Sequence, residues 1–225
     1  MEFDEAVDKA PAGWRHFAFE DVARLPPAVR AHELARVPPG ESEERIVRGL
    51  FWTLVYHLDA GRWDELARHE PIAPAVIDAL PSHVGSALDV GAGSGRLTRH
   101  LVERATTVVA VEPSEPLRAL LSERYASVEA VAAWAEAMPF ASGSFELTAA
   151  CGAFGPDPDV LAELRRVTAK GGRVVLISPE HPEWFEAEGW RRVVAPIDDP
   201  PEHPAWLDEF FGPLDPPHEL VMRGV

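Results

Sequence analysis

Leu88-Asp89-Val90-Gly91-Ala92-Gly93-Ser94-Gly95-Arg96 reads as a buried strand that ends in a glycine turn and opens a helix. Glycines let the backbone reach unusual dihedrals and let a ligand approach with no Cβ in the way. The helix N-terminus behind such a turn offers free N–H groups and a partial positive charge, which suits a carboxylate or a phosphate. Spacing separates two ligands. Dinucleotide binders use G-x-G-x-x-G, which demands glycine at position 96, yet that position holds Arg96 and the third glycine comes early as Gly95. The spacing therefore speaks against a pyrophosphate ligand.

Outward from this turn the rhythm is strand, turn and helix, which predicts a parallel sheet with crossover helices. Strands are expected at Ser86 to Val90, Thr107 to Val111, Val128 to Val131, Phe145 to Ala150 and Arg173 to Ile177. The intervening helices carry Leu97, Leu101 and Val102 on one face, run from about Pro116 to Tyr125, and run from Pro158 to Thr168 with Gly171 as C-cap. Upstream, Ile46, Val47, Leu50, Phe51, Leu54, Val55 and Leu58 recur at helical spacing behind Ser42 as N-cap. Shorter helices are expected over Trp63 to His69 and Pro74 to Leu80. The first forty residues, with Pro11, Pro26, Pro27, Pro38 and Pro39, read as an arm or irregular cap. Beyond Glu180 a helix should carry Trp184, Phe185 and Trp190, and His218 to Val225 reads as a last strand. The organisation expected is thus an arm and helical cap over 1–80, an α/β core over 81–180, and a C-terminal helix and strand of the same domain over 181–225.

Composition narrows the function. A chain of 225 residues, 46% of them hydrophobic, can bury one sizeable core with an appendage. A formal charge of −16 repels a phosphate backbone, so DNA and RNA are disfavoured as substrates. The acidic start Met1-Glu2-Phe3-Asp4-Glu5 is no secretory signal, and no apolar run approaches the ~20 residues of a membrane span. A cytoplasmic protein without a membrane partner is expected. The single cysteine, Cys151, has no CxxC neighbour, which argues against a structural metal site.

The strand, acidic residue and G-x-G-x-G of the opening segment resemble motif I of the class I S-adenosylmethionine-dependent methyltransferases. In that family the glycine turn, here Gly91, Ala92, Gly93 and Gly95, passes under the methionine part of the cofactor. The acidic residue before it, here Asp89, helps hold the cofactor's amino group or an ordered water. About twenty residues on, Val111-Glu112-Pro113 ends the second strand at the sheet edge where ligands of such folds bind. A carboxylate at Glu112 can accept two hydrogen bonds from a ribose diol, as methyltransferases and NAD enzymes both require. Ala133-Trp134-Ala135-Glu136-Ala137-Met138-Pro139-Phe140, followed by a turn and Phe145-Glu146-Leu147, resembles the family's G-D-A-E-x-L-P-F stretch, which NAD enzymes lack. Trp134 stands where the family often has an acid facing adenine, so the backbone N–H of Ala135 or the Trp134 ring is left for that contact. The run Leu161 to Arg166 and Lys170-Gly171-Gly172-Arg173 resembles the family's last helix, double-glycine turn and fifth strand.

The resemblance implies a Rossmann-like α/β fold, preceded by the N-terminal helical cap, and S-adenosylmethionine as cofactor. The protein's task is then mostly alignment of an acceptor. In place of the family's N-P-P-Y-type motif the chain has Ala150-Cys151-Gly152-Ala153-Phe154, which argues against base or glutamine methylation and for a small-molecule substrate. Cys151 is expected to line the cofactor pocket through its backbone. For a general base His181 is the first candidate, after the fifth strand, and His57 the second, on the helix before the sheet. The aromatic set Trp184, Phe185, Trp190, Trp206, Phe210 and Phe211 suits a substrate lid, core packing or a homodimer contact. Two other readings stand beside this one: a nicotinamide-dependent oxidoreductase, and a non-catalytic member kept for protein interaction, which the Trp134 substitution and a C-terminus short for the family's usual final antiparallel strand pair would suit.

Overall fold

A computed structural model describes residues 12–196 and 202–225. The acidic start and Pro11, read above as part of an arm, lie outside the described residues. The described parts of Met1–His69 and Pro201–Asp215 form one compact unit, and those of Glu70–Pro200 and Pro216–Val225 form another. No helix among the described residues is long and apolar enough to cross a membrane.

The first unit holds short helices α1 (Phe19–Val22), α2 (Pro27–Leu34), α3 (Glu43–Gly49), α4 (Phe51–Leu58) and α5 (Ala60–His69), with a further helix at Ala205–Phe211. Ser42 caps α3, accepting from Arg45 N at 3.3 Å. The single helix expected behind Ser42 is in fact two, broken at Leu50 (φ −92°, ψ 7°) after Gly49. Leu50 packs with Val22, Leu25 and Leu54, while Phe51 enters an aromatic cluster with Phe210 and Phe211. Trp14 stacks on Phe51 at 4.8 Å, and the Arg62 guanidinium lies 4.6 Å from the Phe210 ring centre.

The second unit is a seven-stranded sheet in the order β3-β2-β1-β4-β5-β7-β6. Its strands are β1 (Val84–Val90), β2 (Ala105–Val111), β3 (Glu129–Val131), β4 (Phe145–Cys151), β5 (Thr168–Ile177), β6 (Arg191–Val194) and β7 (Glu219–Gly224). Strands β1 to β5 pair in parallel, and β7 runs antiparallel to both β5 and β6. Helices α6 (Pro74–Asp78), α7 (Thr98–Leu101), α8 (Glu115–Arg124), α9 (Pro158–Val167) and α10 (Pro182–Ala187) complete the unit. Both faces are covered. Val76, Ile77, Leu97, Leu101 and Leu121 pack on one face, and Val160, Leu161, Leu164, Val167 and Phe185 on the other. That double burial explains why the central strands read as continuous apolar runs.

Several local expectations need correction. The C-terminal strand pair is complete, because β6 follows α10 directly; its four residues have two exposed ends and carry no alternation to read. Trp190 is not on the helix but immediately precedes β6, buried against Phe185. Gly171 does not cap α9: the helix stops at Val167, Thr168 turns straight into β5, and Gly171 (φ 83°) lies within that strand. Val102 is exposed, since α7 is a single turn that ends before it.

Candidate functional site

At the carboxyl end of β1 the chain turns through Gly91, Gly93 and Gly95 with φ of 68°, 56° and 101°. These left-handed values favour glycine. The N–H groups of Gly91 and Ala92 both donate to Val111 O, at 2.9 and 3.0 Å, which fastens the turn to the end of β2. Space is restricted as well: a Cβ at Gly95 would lie 2.5 Å from Tyr125 Cε2, and one at Gly91 3.0 Å from the Ala153 Cβ. Gly95→Ala should therefore cost about 2 kcal/mol or more in stability and displace the turn. Urea denaturation will check the first; an unchanged midpoint would contradict the turn geometry described.

Two carboxyls are buried at this edge. Asp89 is fully buried in β1 and Glu112, just beyond β2, is 5% exposed. Thr98, in the first turn of α7, donates its hydroxyl to Asp89 Oδ2 at 2.6 Å, and Asp89 Oδ1 has no hydrogen-bond partner among the described residues. Burial pushes the Asp89 carboxyl up to about 7, with the Glu112 charge adding to the rise and the Thr98 hydrogen bond opposing it. Glu112 accepts from Gly93 N at 2.9 Å and from Ser114 N at 2.8 Å, so its carboxylate is clamped against the glycine turn. Burial raises Glu112 as well, while the two N–H groups and the Arg118 charge pull it back. Both Glu112 oxygens keep a lone pair for a further donor.

The third segment is held from outside the site. Glu163 on α9 accepts from Met138 N at 2.8 Å, and the Arg166 guanidinium donates to Phe140 O at 2.6 Å and Met138 O at 3.1 Å. Trp134 is half-buried and its backbone bridges to Ala137; Ala135 and Glu136 are half-buried beside it. After β4, Ala153 and Phe154 approach the Gly91 turn. Phe154 O accepts from Glu180 N at 3.1 Å, and Gly152 N donates to Ile177 O at 2.9 Å, which links the loops after β4 and β5. Surrounding protein pushes the Cys151 thiol up to about 11, so it stays protonated near neutral pH.

The structure brings Asp89, Gly91, Ala92, Gly93, Gly95, Glu112 and Pro113 together at adjoining ends of β1 and β2, with Cys151 at the end of β4. His181 follows β5 in a left-handed conformation (φ 53°), exposed, 3.4 Å from Glu183 Oε1. His57 lies on α4 of the first unit, half-buried. The aromatic set divides between units. Phe185 and Trp190 belong to a core of the second, Trp206, Phe210 and Phe211 to the cluster of the first, and Trp184 is exposed. Sequence reading missed Thr98, Ser114, Glu163 and Arg166. Ser114 was findable as a helix N-cap ahead of Pro116; Glu163 and Arg166 look in sequence like an ordinary i,i+3 surface pair. Arg96, which breaks the dinucleotide spacing, is itself committed to an ion pair with Glu70 at 3.0 Å.

A glycine turn under a buried acid, a second acid at the next strand end, and a sheet closed by an antiparallel pair give the second unit a Rossmann-like α/β core, and over part of that core the chain is similar to methyltransferases. The family model for the methyltransferase domain matches residues 87–172. Among curated proteins, the demethylmenaquinone methyltransferase of Beutenbergia cavernae is 33% identical over 150 residues, covering 58% of this chain and 62% of that protein. An uncharacterized methyltransferase of Mycobacterium tuberculosis is 34% identical over 127 residues, 55% of this chain and 51% of its own length. This chain therefore spans between half and two thirds of these relatives. Among solved structures, a chain in complex with the Trm112 methyltransferase activator of Haloferax volcanii superposes with TM-score 0.55 at 18% identity, covering 74% of this chain and 94% of that one. At that identity the likeness is one of fold.

Proposed function

We propose that this chain transfers the methyl group of S-adenosylmethionine to a small-molecule acceptor. The observation that carries the reading is the pair of buried carboxyls set about the glycine turn. Asp89 Oδ1 lies buried with no protein donor, and Glu112 is fixed at the strand end with lone pairs to spare. Buried polar atoms are seldom left unpaired, so a donor from a ligand or an ordered water is wanted there. In this reading Glu112, beside Pro113, takes the ribose hydroxyls, the Gly91–Gly95 turn passes under the amino-acid tail, and Asp89 receives the ammonium group or its water. Trp134, Ala135 and Glu136 face the adenine, and the backbone at Cys151 closes the pocket.

When bound, the cofactor supplies an electrophilic methyl group on a positively charged sulfur. The chain's own residues orient the partners and exclude water, effects that can supply a large part of the barrier reduction. Where the acceptor must lose a proton, His181, in the loop after β5, takes it. A small acceptor is supported by the net charge of −16, which disfavours nucleic acid, and by the name of the Beutenbergia relative, which makes a reduced naphthoquinone the first acceptor to try.

Calorimetry with S-adenosylhomocysteine and with NADH, followed by methyl-labelled cofactor and an acceptor panel that includes a naphthoquinol, tests the proposal. Binding of the homocysteine nucleoside with label transfer to one acceptor is expected. Binding of NADH alone would sink it. Cofactor binding with no transfer across the panel would favour a non-catalytic role.

A further inference from the structure

At the far edge of the second unit from the glycine turn, a concavity of about 300 Å³ is lined by Arg165, Val174, Trp190, Arg223, Gly224 and Val225. The register explains its composition. Val174 on β5 pairs with Arg223 on β7, and Arg191 on β6 pairs with Met222, so Trp190, one residue earlier, falls opposite Arg223. Directly paired residues share a face, and this is the face covered by α9, whose last turn carries Arg165. Because β7 runs antiparallel to β5, its final residues return to the amino edge of the parallel strands. The carboxyl edge, with Gly91 and Glu112, is a strand length away.

The electrostatics of the concavity are unusual for this chain. The chain carries 37 acidic residues against 21 lysines and arginines, and arginines such as Arg24, Arg62 and Arg96 sit on carboxylates. The immediate neighbours show it: Arg166 pairs with Glu163 at 2.6 Å, and Arg192 with Glu219 at 2.7 Å and Glu186 at 3.3 Å. Arg165 and Arg223 make no ion pair among the described residues, although both line the same small space. The one side-chain bond here is from Arg223 Nη1 to the backbone oxygen of Glu188 at 3.2 Å, which leaves the rest of its guanidinium available. Trp190 is 3% exposed, and its Nε1–H has no acceptor among the described residues. Two exposed like charges thus border one concavity with no carboxylate partner among the described residues, an arrangement that an anion would satisfy.

We propose that this concavity binds a small oxyanion, with Arg165 and Arg223 as its charged clamp. Guanidinium groups offer paired N–H donors that match the oxygens of a phosphate or carboxylate. The volume lies at the lower end of small-molecule sites, and Val174 and Val225 leave room for a modest apolar body behind the charged group. The site stands apart from the cofactor edge and does not depend on the methyltransferase reading.

The test is titration of the purified chain with inorganic phosphate and, separately, with benzoate, by calorimetry and thermal shift at ionic strength matched with chloride. Saturable binding on the order of a millimolar is expected. Arg165→Ala and Arg223→Ala should each weaken it at least five-fold, and Arg165→Lys less, because the charge survives and the fork does not. Arg15→Ala, in the other unit, serves as control and should leave it unchanged. Preference for phosphate identifies a phosphate ester as the natural class, and preference for benzoate a carboxylate. The melting temperature of each ligand-free variant, read in the same thermal-shift series, should stay close to that of the wild type and shows that each is folded. A response equal to that of chloride, or one that survives both arginine substitutions in folded protein, overturns the proposal.

Discussion

Asp89→Asn is expected to make the ligand-free protein more stable than wild type at pH 8, with an advantage that shrinks as the pH is lowered to 5. The carboxyl is fully buried and lifted from 3.8 to about 7, with burial as the main cause. A carboxyl whose folded value lies above its unfolded one holds its proton more tightly in the native state. Its contribution to stability is fully present below about pH 4 and is lost as the pH rises through 7. A shift of that size corresponds to roughly 4 kcal/mol over the whole range as an upper bound, of which part already appears below pH 5, so a measured difference of about 1–2.5 kcal/mol between pH 5 and pH 8 is expected in urea denaturation. An asparagine carries no charge and removes the pH dependence. Curves for the two proteins that run parallel across this range would show that Asp89 is not held as described.

The same carboxyl makes a second measurable claim, which rests on its proposed partner. An ammonium group or a polarised water at Oδ1 favours the ionised form. Binding of S-adenosylhomocysteine should then release a proton below pH 7, and wild-type affinity should rise with pH up to about that point and level off above it. Calorimetry in two buffers of different ionisation enthalpy counts the proton. In Asp89→Asn affinity should be weaker at pH 8 and flat with pH; a wild-type affinity equally flat would separate Asp89 from the cofactor.

Glu112→Ala is expected to weaken S-adenosylhomocysteine binding by about 100-fold or more, since two charge-assisted hydrogen bonds at ~1.5 kcal/mol each are lost. The substitution does more than empty a ligand contact. It strips Gly93 N and Ser114 N of their acceptor inside a buried site, so the melting temperature should fall too. Glu112→Gln keeps a carbonyl oxygen for one of those donors and should fall between the two, at roughly a ten-fold loss. An unchanged dissociation constant in Glu112→Ala would mean the ribose lies elsewhere.

The parallel core was legible because burial on both faces makes its strands continuous apolar runs and because turns need glycine, a requirement written in single residues. The Gly91, Gly93 and Gly95 positions and the acids Asp89 and Glu112 therefore stood out before any coordinates. Short-range steric and polar requirements of this kind are local, and local requirements leave local marks. The missed features are relations between distant residues. Glu163 and Arg166 hold the backbone at Met138 and Phe140 across more than twenty positions, and nothing in either segment announces the other. The break at Leu50 leaves no mark in helical periodicity, because the apolar spacing runs on through it. The strand β6 is four residues long and gains its place only by pairing with β7, and Arg165 and Arg223 meet through a strand register fixed by that pairing. The parallel strands, the turn and the acids are legible because each depends on the chemistry of one segment. Which charges are paired, which carboxyl is dry and how the C-terminal edge is closed depend on what the remainder of the chain brings to each position.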